Sequence, residues 1–170
     1  MGYSIWLQFC ERGEKLLQNK IQEIADECAS PVFKPHLTLV GDIEVDPSTI
    51  RQQMELLAQK IVQFDMPVRD IGASDSFFMA LYLSVEIPRA LLNMRIEVAR
   101  KLKVDLCNID TPHVSLAYGD SRQRRALKQQ IMLAQDLRGA ILRAKGISLV
   151  HSSKDVPIQQ WKIIETLAFQ

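Results

Sequence analysis

Two segments of this chain, Pro35-His36-Leu37-Thr38-Leu39 and Pro112-His113-Val114-Ser115-Leu116, repeat one pattern of proline, histidine, aliphatic residue, hydroxyl residue and leucine. Each runs into a Gly-Asp pair, Gly41-Asp42 and Gly119-Asp120. The chain has 3 histidines, and two lie in this repeat, 77 residues apart at positions 36 and 113. Residues two apart share a face of a strand, so each imidazole lies beside a hydroxyl, His36 with Thr38 and His113 with Ser115. An imidazole titrates near neutrality, and a facing pair can manage both proton transfers of a hydrolysis while the hydroxyls donate to oxyanions. His151 is also followed two places on by a serine, Ser153, but it lacks the preceding proline, the apolar middle residue and the leucine. A single His-x-Ser is better read as a half-buried strand histidine bonded to a carbonyl. Duplication with the same flanks reverses that preference.

Around the repeat, period-2 and period-3.6 segments alternate. Strands are expected over 4–9, 34–45, 64–71, 76–86, 113–118, 142–151 and 159–169. Helices are expected over 13–29, with Leu16, Leu17, Ile21, Ile24 and Ala25 on one stripe, and over 46–63, opened by Asp46-Pro47-Ser48. A third runs from Pro88 to about Lys103 and carries Leu91, Leu92, Met94, Ile96 and Val98; a fourth runs from an Asp120-Ser121 cap to about Arg138. Each motif strand precedes a helix, and each of those helices precedes two successive strands. An α+β fold with antiparallel sheets therefore fits better than a doubly wound parallel one. Two lobes facing each other would bring His36 and His113 together across a central cleft, with helices outside. No linker separates them, so residues 1–170 read as a single two-lobed domain.

Composition narrows the function. The net charge of +1 gives no field for long polyanions, so a small phosphate ligand fits better than a nucleic-acid tract. No window reaches the ~20 apolar residues of a membrane helix and no signal pattern opens the chain, which predicts a soluble, cytoplasmic protein. Cys10, Cys28 and Cys107 are too scattered for a disulfide framework or a zinc knuckle. Phosphate-loop, dinucleotide-fold and serine nucleophile-elbow patterns are absent. Asp42, Glu44, Asp110 and Asp120 read as turn and cap residues and not as a metal site, which would leave the two hydroxyls without a role. Arg122, Arg124, Arg125 and Lys128 form a basic run on the fourth helix, usually a solvated face, which could attract a longer RNA or a diphosphate if it rims the cleft.

Strand parity groups His36, Thr38 and Val40 on one face and His113, Ser115 and Ala117 on another, with Leu37, Leu39, Val114 and Leu116 opposite, under helices. Trp6 lies with Ser4 and Gln8, away from the apolar face of Ile5, Leu7 and Phe9. In the strand after Gly72, the mixed face Phe78, Ala80, Tyr82, Ser84 is opposed by apolar Phe77, Met79, Leu81 and Val85. By parity alone Trp6 and Phe78 are equally core or cleft residues. Strict alternation puts Tyr118 opposite His113, unless the strand bends or ends before Gly119.

The duplicated motif resembles the signature of the 2H phosphoesterase superfamily, named for two His-x-Ser/Thr motifs on a pseudo-symmetric two-lobed fold. Tyr3-Ser4-Ile5-Trp6, Phe33 to Gly41, Ser76-Phe77-Phe78 and Pro112 to Asp120 are similar to the cyclic phosphodiesterase branch of plants and yeasts. The resemblance implies metal-free and cofactor-free hydrolysis of ribose cyclic phosphates, namely nucleoside 2′,3′-cyclic phosphates and ADP-ribose 1″,2″-cyclic phosphate. His36 and His113 would be acid and base, Thr38 and Ser115 the phosphate donors, and Trp6, Phe78 and Tyr118 the residues on the base and ribose. It favours opening to the 2′-phosphate; which histidine is the base stays open. A monomer acting on a small cyclic phosphate is expected. The alternatives are an RNA-processing relative acting on 2′-5′ linkages or RNA ends, and a non-catalytic nucleotide-binding module.

Overall fold

The computed structural model describes residues 2–105, 111–119 and 127–170. In chain order the elements are β1 (Tyr3–Phe9), α1 (Glu11–Cys28), β2 (Leu37–Ile43), α2 (Pro47–Ala58), β3 (Phe64–Ala73), β4 (Leu81–Val85) and α3 (Arg89–Lys101). There follow β5 (His113–Ala117), α4 (Leu127–Ala134), β6 (Ile141–His151) and β7 (Lys162–Ala168), with 3-10 turns at Phe77–Met79, Gln135–Leu137 and Ile158–Gln160. The described strands pair antiparallel in the order β2-β1-β6-β3-β4-β5, and β7 adds to β6. The architecture is the α+β one expected.

The order is symmetric about the contact between β6 and β3. Taken as two halves, β1-α1-β2-α2-β3 and β4-α3-β5-α4-β6, each sends its third strand into the other: β3 pairs with β4, and β6 with β1. β3 begins at Phe64 and β6 at Ile141, the same 77-residue offset that separates the histidines. Each lobe is therefore built from both halves, where the sequence suggested two lobes in succession. The motif strands β2 and β5 stand at opposite ends of the strand order yet touch each other, so the sheet curves until its outer strands meet.

Helix phase and caps account for most boundaries. α1 buries Leu17, Ile21, Ile24, Ala25 and Cys28, a spacing that leaves Leu16, one residue off the stripe, exposed. It ends at Ala29, whose φ of 53° is left-handed, just before Ser30-Pro31. Asp46 opens α2 by accepting a hydrogen bond from the Ser48 backbone N–H at 2.8 Å, with Pro47 in the first turn. On α3, Ile96 is exposed and Arg95 is buried in its place. Residues 76–80 were expected as strand and are not. The Ser74 backbone N–H and hydroxyl both donate to the Met79 carbonyl, at 3.2 and 2.9 Å, and this local pairing closes the turn instead. The Asp120-Ser121 cap, Asp110, Cys107 and the arginines at 122, 124 and 125 lie outside the described residues. Lys128 is exposed, as a solvated face predicts.

The core is shared by both halves. Ile5, Leu7 and Phe9 of β1, Leu37 and Leu39 of β2, and Val114 and Leu116 of β5 are wholly buried, on the faces parity assigned them. No helix among the described residues is long and apolar enough to cross a membrane. β6 is the shared spine, pairing with β1 along one side and with β3 and then β7 along the other. Where it passes between Gln8 and Ala168 it carries Gly146, and a Cβ there would stand well inside the Leu167 carbonyl oxygen. Gly146→Ala should accordingly destabilise the protein by ~1–3 kcal/mol, as overpacking does. Denaturant unfolding measures it, and an unchanged midpoint would mean that β7 yields freely.

Candidate active site

The prolines of the repeat set the state of the histidines that follow them. A residue before proline is pushed into extended backbone, which describes Lys34 and Thr111. From there the Lys34 carbonyl accepts a hydrogen bond from His36 Nδ1 at 2.6 Å, and the Thr111 carbonyl accepts one from His113 Nδ1 at 2.9 Å. A carbonyl oxygen can only accept, so both Nδ1 atoms carry the proton. The two motifs hold their imidazoles in the same way.

Each motif strand then bulges at the leucine after the hydroxyl. Trp6 pairs with Thr38 but Ile5 with Val40, so Leu39 is the extra residue; Tyr82 pairs with Ser115 but Leu81 with Ala117, so Leu116 is the extra one. A bulge shifts the phase of every later residue. This moves Tyr118, three residues past Ser115, to the cleft side; in β2, where a second register shift lies between Val40 and Ile43, Leu39, Val40, Gly41 and Asp42 all line the cleft. Alternation had placed Tyr118 on the opposite face, and the bulge together with the strand's end at Ala117 brings it round.

The cleft so formed encloses about 450 Å3. Trp6, His36, Thr38, Phe78, His113, Ser115 and Tyr118 all line it, whereas Ala117, Ala80, Tyr82 and Ser84, which parity grouped with them, do not. Its two histidines differ in burial. His36 is buried and His113 half-buried. Desolvation pushes the His36 pKa down to about 4, with the Lys34 hydrogen bond acting upward and the charge of His113 adding to the fall. Trp6 supplies much of that cover: its ring stacks on His36 with centroids 3.5 Å apart and planes at 7°. Tyr82, placed against Ser115 as Trp6 is against Thr38, meets His113 at 5.5 Å and 66°, tilted and looser.

The hydroxyls differ too. Ser115 donates to the Phe78 carbonyl at 2.9 Å, tying β5 to the 3-10 turn that carries Phe78. Phe78 thus reaches the cleft from a turn and not from a strand face. Tyr118 is buried, stacks on Phe33 at 3.9 Å, and has its phenol pKa raised by desolvation, with a hydrogen bond to Ser115 acting the other way. Trp161 was not foreseen. It follows the turn at Ile158–Gln160, donates its indole N–H to the Val156 carbonyl at 3.0 Å, and packs edge-on to Trp6, His36 and Tyr118. No motif surrounds it in the sequence. Arg95 was also missed, although its signal was legible as a lone cation within the apolar stripe of α3.

Asp42 was expected as a turn residue but lies within β2, at a second register shift between Val40 and Ile43, where its φ of 51° is left-handed; it lines the cleft, and its carboxylate accepts from the Lys154 backbone N–H at 3.5 Å. Among the described residues no three histidine, cysteine, aspartate or glutamate side chains are grouped so as to hold a metal ion.

A family model described as "Cyclic phosphodiesterase-like protein" matches residues 1–169. The chain is 18% identical over 166 residues to the cyclic phosphodiesterase of Arabidopsis thaliana, covering 95% of this chain and 92% of that one. Its fold is similar to the crystal structure of TT0787 of Thermus thermophilus, with a TM-score of 0.65, 14% identity, and 99% of this chain and 98% of that one covered. It is likewise similar to E. coli LigT complexed with 3′-AMP, at a TM-score of 0.63 and 15% identity, with the same 99% and 98% coverage.

Burying a neutral histidine makes stability depend on pH in a definite direction. With a folded pKa near 4 against 6.5 when unfolded, the unfolded chain binds more protons between those values. The His36 contribution, on the order of 3 kcal/mol, should be complete above pH 6.5 and disappear as pH falls toward 4. NMR titration of the His36 ring should give a midpoint near 4. In Trp6→Ala the midpoint should rise back toward 6.5; a wild-type midpoint near 6.5 would refute the burial argument.

Proposed function

This chain belongs to the cyclic phosphodiesterase-like protein family, within the 2H phosphoesterases, and from that premise we propose that it hydrolyses ribose cyclic phosphodiesters by paired histidine acid–base catalysis. The reading rests on one observation above others: two imidazoles with Nδ1 locked to the carbonyl two residues back line a single cleft. The name of the Arabidopsis relative supports the phosphodiesterase class, and the 3′-AMP complex of LigT supports a nucleoside phosphate as ligand type.

His36 is assigned as general base. Its depressed pKa keeps Nε2 unprotonated at neutral pH, ready to take a proton from water as the water oxygen attacks phosphorus. His113, less buried, is the acid: it gives its Nε2 proton to the ribose oxygen as the P–O bond breaks. Departure of O3′ leaves a 2′-phosphate. The proton gained by His36 and the one lost by His113 then exchange with solvent. Thr38 and Ser115 donate to the non-bridging oxygens, where charge must be held in the transition state. For Ser115 this means turning its O–H from the Phe78 carbonyl to the phosphate. Phe78 and Tyr118 flank the base and ribose. Trp6 contributes to that wall while its face against His36 holds the base in place. One chain supplies both histidines, so a monomer suffices.

The test is turnover of nucleoside 2′,3′-cyclic phosphates and of ADP-ribose 1″,2″-cyclic phosphate, with products separated as 2′- or 3′-phosphates. His36→Ala and His113→Ala should each lower kcat by about 10²–10⁴-fold. His151→Ala should leave it unchanged. Activity should survive EDTA; complete loss on chelation, restored by a divalent ion, would overturn the two-histidine mechanism. Turnover of none of these substrates by the parent chain would overturn the substrate class.

A further inference from the structure

We propose that Arg95 is a positioning residue for the phosphate-holding edge of the cleft, its guanidinium locking the bulge in β2 that aims Thr38. The proposal rests on the role given to Thr38 above. β2 is an outer strand, with β1 as its ladder partner, and Leu39 is the residue its ladder skips. Leu39 therefore has no partner residue in β1. Leu39 is wholly buried, so water cannot satisfy its carbonyl oxygen, and a buried carbonyl left unpaired is costly. Arg95 Nε donates to it at 2.6 Å, the short distance of a charge-assisted hydrogen bond.

The clamp comes from the other half of the chain. Arg95 belongs to α3, 56 residues from Leu39, and α3 packs on β2. Arg95 is only 7% exposed, so its charge is held in place and cannot swing into solvent. Losing the donor would leave the ladder free to absorb the extra residue. Because strand side chains alternate, a one-residue slip turns Thr38 away from the cleft. His36 is fixed independently, by its bond to Lys34, so Arg95 controls the hydroxyl more than the base.

The second motif is secured differently. Applying the same 77-residue offset to Arg95 leads to Gln18 on α1, and Gln18 bonds to the Phe33 carbonyl, not to the bulge at Leu116. There Ser115 is held through its own hydroxyl, by the Phe78 carbonyl. Thr38 takes its placement from Arg95.

A double-mutant cycle on kcat for a 2′,3′-cyclic nucleotide tests this, with Arg95→Leu made in the parent, in Thr38→Ala and in Ser115→Ala. A misplaced donor costs about a hundredfold, so Arg95→Leu should lower kcat by about that factor in the parent and in Ser115→Ala. In Thr38→Ala it should lower kcat by less than about threefold, since a residue acting through Thr38 has nothing left to position. Equal losses in all three backgrounds, or parental kcat in folded Arg95→Leu, would overturn the proposal. If Arg95→Leu does not fold, Arg95→Lys, which keeps a cation but moves the donor, is carried through the same cycle. If the parent turns over no cyclic phosphate, the γ-methyl NMR resonances decide: a Thr38 signal displaced by the substitution, with Thr166 unmoved, supports the clamp, and an unmoved Thr38 signal overturns it.

Discussion

The pairing of β6 with β1 and of β3 with β4 is the interaction from which the rest of this architecture follows. Because each half contributes its third strand to the other, neither half can complete its sheet alone. Lobes that merely lay side by side could shift against each other. Here the backbone ladder crosses between them twice and meets at the β6–β3 contact, leaving the two motif strands as the outer edges of one curved sheet. Distance in sequence between His36 and His113 becomes proximity by this exchange, without any direct bond between the motifs.

Within that frame, the chemistry is set by backbone features more than by side-chain choice. Proline stiffens the residue two before each histidine, and the carbonyl it holds in place selects the tautomer. The bulge after each hydroxyl then breaks the strict alternation of the strand, and after Ser115 it brings Tyr118 to the cleft. Bulges are common beside active sites because they re-aim side chains without ending a strand. The motif is thus a geometric unit of five residues in which proline fixes the ring, the hydroxyl faces the same way, and leucine marks the bulge.

The two halves are alike in backbone and unlike in electrostatics. Trp6 lies flat on His36 and shuts out water, whereas Tyr82 meets His113 at an angle and leaves it half-exposed. Aromatic packing treats the two rings differently, and desolvation holds His36 neutral at the expense of stability in acid. The same asymmetry runs through the hydroxyls: Ser115 is bonded to a carbonyl, while beside Thr38 it is the Leu39 carbonyl that accepts from an arginine of the opposite half.

The sequence by itself determined the repeat, the α+β class, and the convergence of His36, Thr38, His113 and Ser115, because period and spacing are local properties that one strand carries complete. It also marked the buried faces of β1, β2 and β5, since alternation needs no partner to be read. It could not show the exchanged third strands, which depend on pairings between residues far apart in the chain. It misjudged residues 76–80 because local hydrogen bonds from Ser74 outcompeted an apolar run that looked like strand. Tyr118 stayed ambiguous for a related reason: a bulge is a count of two strands against each other, invisible in either alone. Trp161, Arg95 and the unequal burial of the two histidines were decided only by tertiary structure, since burial, ring stacking and the register of a bulge are properties of neighbours that the chain acquires on folding.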